Sequence, residues 1–145
     1  MASVHREITL RATPQAVWAA LADIGALHTR LVPGFVVGCE LQGDERVVTF
    51  AHGATVRERI LSVDAARRRV AWSAVGGRLS HHNASAQVLP AGDGACTVTW
   101  VADLLPHDMA PAIAGLIEQG LAAMKRHLEA GAAAPPMATP ETPCP

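Results

Sequence analysis

Residues 109–128 read Met-Ala-Pro-Ala-Ile-Ala-Gly-Leu-Ile-Glu-Gln-Gly-Leu-Ala-Ala-Met-Lys-Arg-His-Leu. Met109, Ile113, Leu116, Ile117, Gly120, Leu121, Met124 and Leu128 recur at i, i+3 and i+4, the period of a helix with one apolar stripe. Glu118, Lys125, Arg126 and Glu129 take the other side. Asp108 suits the N-cap, and Pro111 falls in the first turn, where a missing N–H costs nothing. A helix this long with one greasy face must lie on something.

What precedes it supplies the partner. From Phe35 to Leu104 the chain alternates strand and turn. Phe35–Leu41, Arg46–Phe50, Thr55–Val63, Arg69–Val75, Ser80–Leu89 and Cys96–Leu104 are separated by Gly43-Asp44, His52-Gly53, Asp64–Arg67, Gly76-Gly77 and Gly92-Asp93-Gly94. Turns at this short spacing predict an antiparallel meander. Ahead of it, Val4–Ala12 alternates as a half-buried strand. Thr13-Pro14 then reads as an N-cap and first helical residue, opening a helix that carries Val17, Trp18 and Leu21. Gly25 breaks that helix, and a second short one is expected over Ala26–Leu31. The fold class is therefore α+β: a seven-stranded antiparallel sheet, two short helices after the first strand, and a long C-terminal helix packed over the sheet. Residues 1–130 form one domain, and the Ala/Pro-rich residues 131–145 read as a flexible tail.

Composition sets further limits. At 145 residues and a net charge of −1, the chain suits one domain and lacks the basic excess of a general nucleic-acid binder. With 50% hydrophobic residues it can bury a core, and with only 3% aromatic residues any pocket will be mostly aliphatic. Cys39, Cys96 and Cys144 form no Cys-x-x-Cys pair, and Cys39 and Cys96 read as reduced, buried thiols. No apolar run is long enough to span a bilayer, and the N-terminus has no secretory pattern, so a cytoplasmic location is expected. His81 and His82 are adjacent in a strand and face opposite sides, so no metal site is expected, and nothing calls for a cofactor.

Several segments then resemble a known family. Ala12-Thr13-Pro14-Gln15-Ala16-Val17-Trp18, Glu58-Arg59-Ile60, Val75-Gly76-Gly77-Arg78-Leu79 and Val98-Thr99-Trp100, in this order and spacing, resemble the polyketide cyclase/dehydrase and lipid-transport family of the START and birch-pollen-allergen (SRPBCC) superfamily. The resemblance covers about residues 3–130 and implies the helix-grip fold, with a cavity between sheet and long helix for an apolar or amphipathic small molecule. Val75–Leu79 is also similar to a cavity-mouth loop of the plant abscisic-acid receptors. In that comparison Glu58 matches an inward strand glutamate and His82 stands at a tyrosine. The chain departs from those receptors at three places: Val32-Pro33-Gly34-Phe35 replaces a lysine-bearing strand, Ala51-His52-Gly53-Ala54 replaces a longer, proline-bearing loop, and Gly120 stands at a helix asparagine.

The candidate site residues follow from strand parity. Val56, Glu58 and Ile60 share one face, which puts a carboxylate among apolar neighbours. Glu58 reads as a cavity-facing polar anchor, as a general base, or as a structural carboxylate paired with Arg57, Arg59 or a neighbouring strand. His82 shares its face with Ala84, Ala86 and Val88, and could meet Glu58 across the cavity as a proton-transfer partner or remain a hydrogen-bonded rim residue. Trp72, Ala74, Leu79, Trp100, Ile113, Leu116 and Ile117 complete the expected lining.

A binding protein for a small hydrophobic ligand is ranked first. A cyclase or dehydratase using Glu58 and His82 comes second, and a protein-interaction module, such as a chaperone co-factor or a toxin–antitoxin partner, third. A homodimer through the sheet edge or the helix stays open.

Overall fold

The computed structural model describes residues 1–133. The chain runs β1 (Ala2–Leu10), α1 (Pro14–Ala22), a π-helical turn (Leu27–Leu31), β2 (Val36–Gln42), β3 (Glu45–Phe50), β4 (Thr55–Asp64), β5 (Arg69–Val75), β6 (His81–Pro90), β7 (Cys96–Leu105), a 3-10 turn (His107–Met109) and α2 (Ala110–Ala133). The strands form one seven-stranded sheet in the order β1-β7-β6-β5-β4-β3-β2, every neighbour antiparallel. This is the α+β architecture expected from the residue pattern, and the helix-grip fold that the resemblance implies.

Local chemistry sets the element ends. Thr13 caps α1, its hydroxyl accepting the Ala16 N–H at 3.1 Å, and Pro14 opens the helix. The second expected helix is a single π turn. Asp108 does not cap the long helix but sits inside the 3-10 turn that precedes it. The long helix also continues through Gly131 to Ala133, past the end of its apolar stripe. The rest of the expected tail, 134–145 with Cys144, lies outside the described residues.

One face of the sheet is buried under α2. Val4, Leu10, Val70, Val88, Val98 and Leu104 carry that core. Trp72 and Trp100 pack edge-to-face, with ring centroids 5.6 Å apart. The small residues beside them are part of the same design: Ala84 pairs with Trp72, and Ala86 pairs with Trp100 and Val70. Alternating small and large side chains across adjacent strands make room for two indoles that strict packing of equal residues would exclude.

α2 is fastened to β1 at several points. Arg6, whose position interrupts the apolar parity of β1, reaches across to Glu118 at 3.0 Å. Farther along, the Lys125 ammonium donates to the Thr9 carbonyl at 3.0 Å, and the Arg11 N–H donates to Glu129 at 2.8 Å. Among the described residues, no helix is long and apolar enough to cross a membrane.

Candidate functional site

Between the sheet, α2 and the α1–π-turn segment lies a cavity of about 150 Å³. Strands and loops supply Val56, Glu58, Trp72, Ala74, Leu79 and His82, with Ala86 and Trp100. Ile113, Leu116 and Ile117 of α2 close it. Two expected lining residues stand elsewhere. Ala84 is packed in the core beside Trp72 and Ala102. Ile60 is half-buried against the core, next to a register shift between Ile60 and Ser62. β4 carries one residue more than β5 there, as in a β-bulge.

Glu58 is buried, and its partner is Arg46. The two residues are directly opposed in the β3–β4 register, and Arg46 Nε donates to Glu58 Oε1 at 2.8 Å. The Arg46 side chain is 4% exposed and that of Glu58 11%. Arg46 Nη1 donates to the Ile24 carbonyl at 3.3 Å, and the guanidinium carbon lies 5.4 Å from the Trp72 ring centroid. A desolvated cation is thus held by a carboxylate, a carbonyl and an indole face. Arg57 and Arg59 point to the opposite face of β4, where both meet Glu45. Of the structural partners considered for Glu58, the neighbouring strand is the one that provides it.

His82 makes a different use of its strand. The β5–β6 ladder ends at the Trp72–Ala84 pair. Beyond it, His82 Nδ1 accepts the Ala74 N–H at 2.9 Å, so the imidazole replaces the next ladder carbonyl. The Ser73 hydroxyl donates to the His82 carbonyl and holds the same junction. With Nδ1 accepting, the neutral ring carries its proton on Nε2. Burial, and then the neighbouring His81, push the His82 pKa below its ordinary value, which favours that neutral form.

Of the two readings of His82, the direct contact with Glu58 is not formed: no hydrogen bond or ion pair joins them among the described residues. The register explains this. Glu58 pairs with Ala74, and Ala74 in turn binds His82, so the two titratable groups stand two strands apart, about 10 Å between backbones. They border one cavity without touching.

Parity also marks three residues of β3 that the expected lining omits. Arg46, Val48 and Phe50 share a face of β3, and all three line the cavity. Leu27, Leu31 and Val32 of the π-turn region, Phe35 and Met124 add to the wall. Phe35 and Phe50 meet edge-to-face at 5.3 Å. Leu27 and Leu31 stand four apart, a spacing that marks a helical turn but not which way it faces.

Comparison with known proteins now bears on this geometry. The family model for polyketide cyclase / dehydrase and lipid transport matches residues 1–129. The chain belongs to that family. No curated protein matches its sequence. Among solved structures, an uncharacterized protein from Bacillus thuringiensis is similar at 16% identity and TM-score 0.78, over 86% of this chain and 97% of that one. Norcoclaurine synthase from Thalictrum flavum, solved with dopamine and hydroxybenzaldehyde, is similar at 20% identity and TM-score 0.69, over 90% of this chain and 86% of that one. The di-domain ARO/CYC protein BexL of the BE-7585A biosynthetic pathway matches at 17% identity and TM-score 0.76, over 89% of this chain and 47% of that one. At these identities the likeness is one of fold.

Proposed function

We propose that this protein is a cytoplasmic binding protein that takes a small apolar or amphipathic molecule into the cavity between sheet and α2. The observation that carries this reading is an apolar cavity with three buried polar side chains, Arg46, Glu58 and His82, on its wall. Pockets that orient small ligands have this composition: mostly apolar walls with a few fixed polar groups. The described cysteines, Cys39 and Cys96, are free thiols, which suits a reducing compartment. Family membership and the ligands in the norcoclaurine synthase structure support the same use of the fold.

Ligand-observed NMR tests it. A mixture of neutral apolar molecules, from one ring to three rings and a ten-carbon alcohol, is presented to wild type and to Ala86→Trp, which fills the cavity. Binding by any component that disappears in the variant supports the proposal. Equal binding to both proteins, or none to wild type, contradicts it.

Catalysis of a cyclase or dehydratase type is a second reading, favoured by two titratable side chains bordering one cavity. It stands behind binding for a chemical reason. His82 has its lone pair engaged by the Ala74 N–H, and one Glu58 oxygen is taken by Arg46. These groups are placed to orient a ligand more directly than to move its protons. Under the catalytic reading, Glu58→Gln lowers turnover far more than affinity; under the binding reading, affinity alone changes.

A further inference from the structure

On the reading that the cavity is a binding site, its size and charge narrow the guest. We infer that the ligand is an uncharged single-ring molecule carrying a hydroxyl or carbonyl oxygen for His82 Nε2–H, and that carboxylates are rejected.

Size comes first. A cavity of about 150 Å³ matches spaces that admit one six-membered ring, and falls short of the roughly 300 Å³ at which pockets for drug-sized ligands begin. The indoles of Trp72 and Trp100 and the side chain of Ile117 bound it with rigid or close-packed walls.

Charge comes second. The guanidinium of Arg46 is the cation on the wall, and it is already answered by Glu58 at 2.8 Å and by the Ile24 carbonyl at 3.3 Å. The neutral His82 adds no charge. The wall is therefore electrically balanced before any guest arrives. An incoming carboxylate would leave its hydration behind, find its only counter-ion committed, and face the Glu58 carboxylate. A neutral guest meets none of these costs.

Hydrogen bonding comes third. Among the described residues, His82 Nε2 has no protein partner, and neither does Glu58 Oε2. The first is a donor fixed in direction by the Nδ1 contact to Ala74, and the second is an acceptor. A hydroxyl or carbonyl oxygen on an aromatic ring can accept from the His82 donor, with its ring against the indoles.

Calorimetric titration of the full chain at neutral pH with 4-methylphenol, toluene, 4-methylbenzoate, 1-decanol and N-phenyl-1-naphthylamine decides the matter. The expected order is 4-methylphenol first, toluene about five- to tenfold weaker for want of the hydrogen bond, and 4-methylbenzoate at least about a hundredfold weaker. In His82→Phe, 4-methylphenol should fall to the level of toluene. Should that variant not fold, the wild-type order alone decides. Binding of 4-methylbenzoate as tight as that of 4-methylphenol overturns the inference. So does binding confined to 1-decanol or N-phenyl-1-naphthylamine, although cavity binding itself would then stand. Failure of every compound overturns both.

Discussion

Arg46 and Glu58 face each other across β3 and β4 and form a 2.8 Å ion pair in the cavity wall, both residues buried. Such a pair is costly to break from one side. Arg46→Met leaves a carboxylate buried without its counter-ion, and urea unfolding should show a loss of about 3–5 kcal/mol. The double variant Arg46→Met/Glu58→Met removes the stranded charge and should recover most of that loss. Equal destabilisation in single and double variants would mean that the pair is not desolvated as described.

Gly120 controls the position of Trp100. A Cβ at this position would lie 2.8 Å from Trp100 Cζ3, closer than real Cβ contacts allow, and 3.2 Å from Phe35 Cε2, a tight contact. Ala at an interior helix position gains about 1 kcal/mol over Gly, while overpacking costs about 1–3 kcal/mol. Trp100 has a way out, because it borders the cavity. Gly120→Ala should therefore stay within about 1 kcal/mol of wild type in urea unfolding, while affinity for neutral single-ring molecules drops at least about tenfold as the indole moves inward. Gly115→Ala is the control, since nothing lies within 4 Å of a Cβ there. It should be stabilising and leave binding unchanged. Loss of binding in both variants would remove Gly120 from this role.

His82 should leave a mark on the pH dependence of stability. Its folded-state pKa lies below the ordinary value of 6.5. The unfolded chain therefore takes up its proton first as pH falls, and the folded state loses ground below 6.5. Above that value both states are neutral at this residue and its effect on stability is intact. Urea midpoints compared between about pH 8 and about pH 5 should fall more for wild type than for His82→Gln. Identical declines would show that the imidazole is not held neutral by burial.

Much of the fold was legible because its signals are local. Period-two stretches between Gly-, Asp- and Pro-bearing turns gave the strands, and the i, i+3, i+4 stripe from Met109 to Leu128 gave the covering helix. The site was legible only in part, because its decisive contacts join residues distant in sequence. Glu58 and His82 could be placed on the inner face by parity, but the register that pairs Glu58 with Arg46, and Ala74 with both Glu58 and His82, emerges only when the strands assemble. The bulge after Ile60 leaves no trace in alternation, since every residue there also fits a regular strand. The π turn at Leu27–Leu31 cannot be told from a short α-helix by its apolar spacing alone.

The three tryptophans allow the central claim to be checked residue by residue. Trp72 and Trp100 line the cavity, whereas Trp18 lies on α1 and does not. The most direct measurement is a titration of the protein with 4-methylphenol, followed through the three indole N–H resonances. The resonances of Trp72 and Trp100 should shift together and saturate while that of Trp18 stays in place. Stationary signals from Trp72 and Trp100, or a shift at Trp18 as large as theirs, would contradict binding in the cavity.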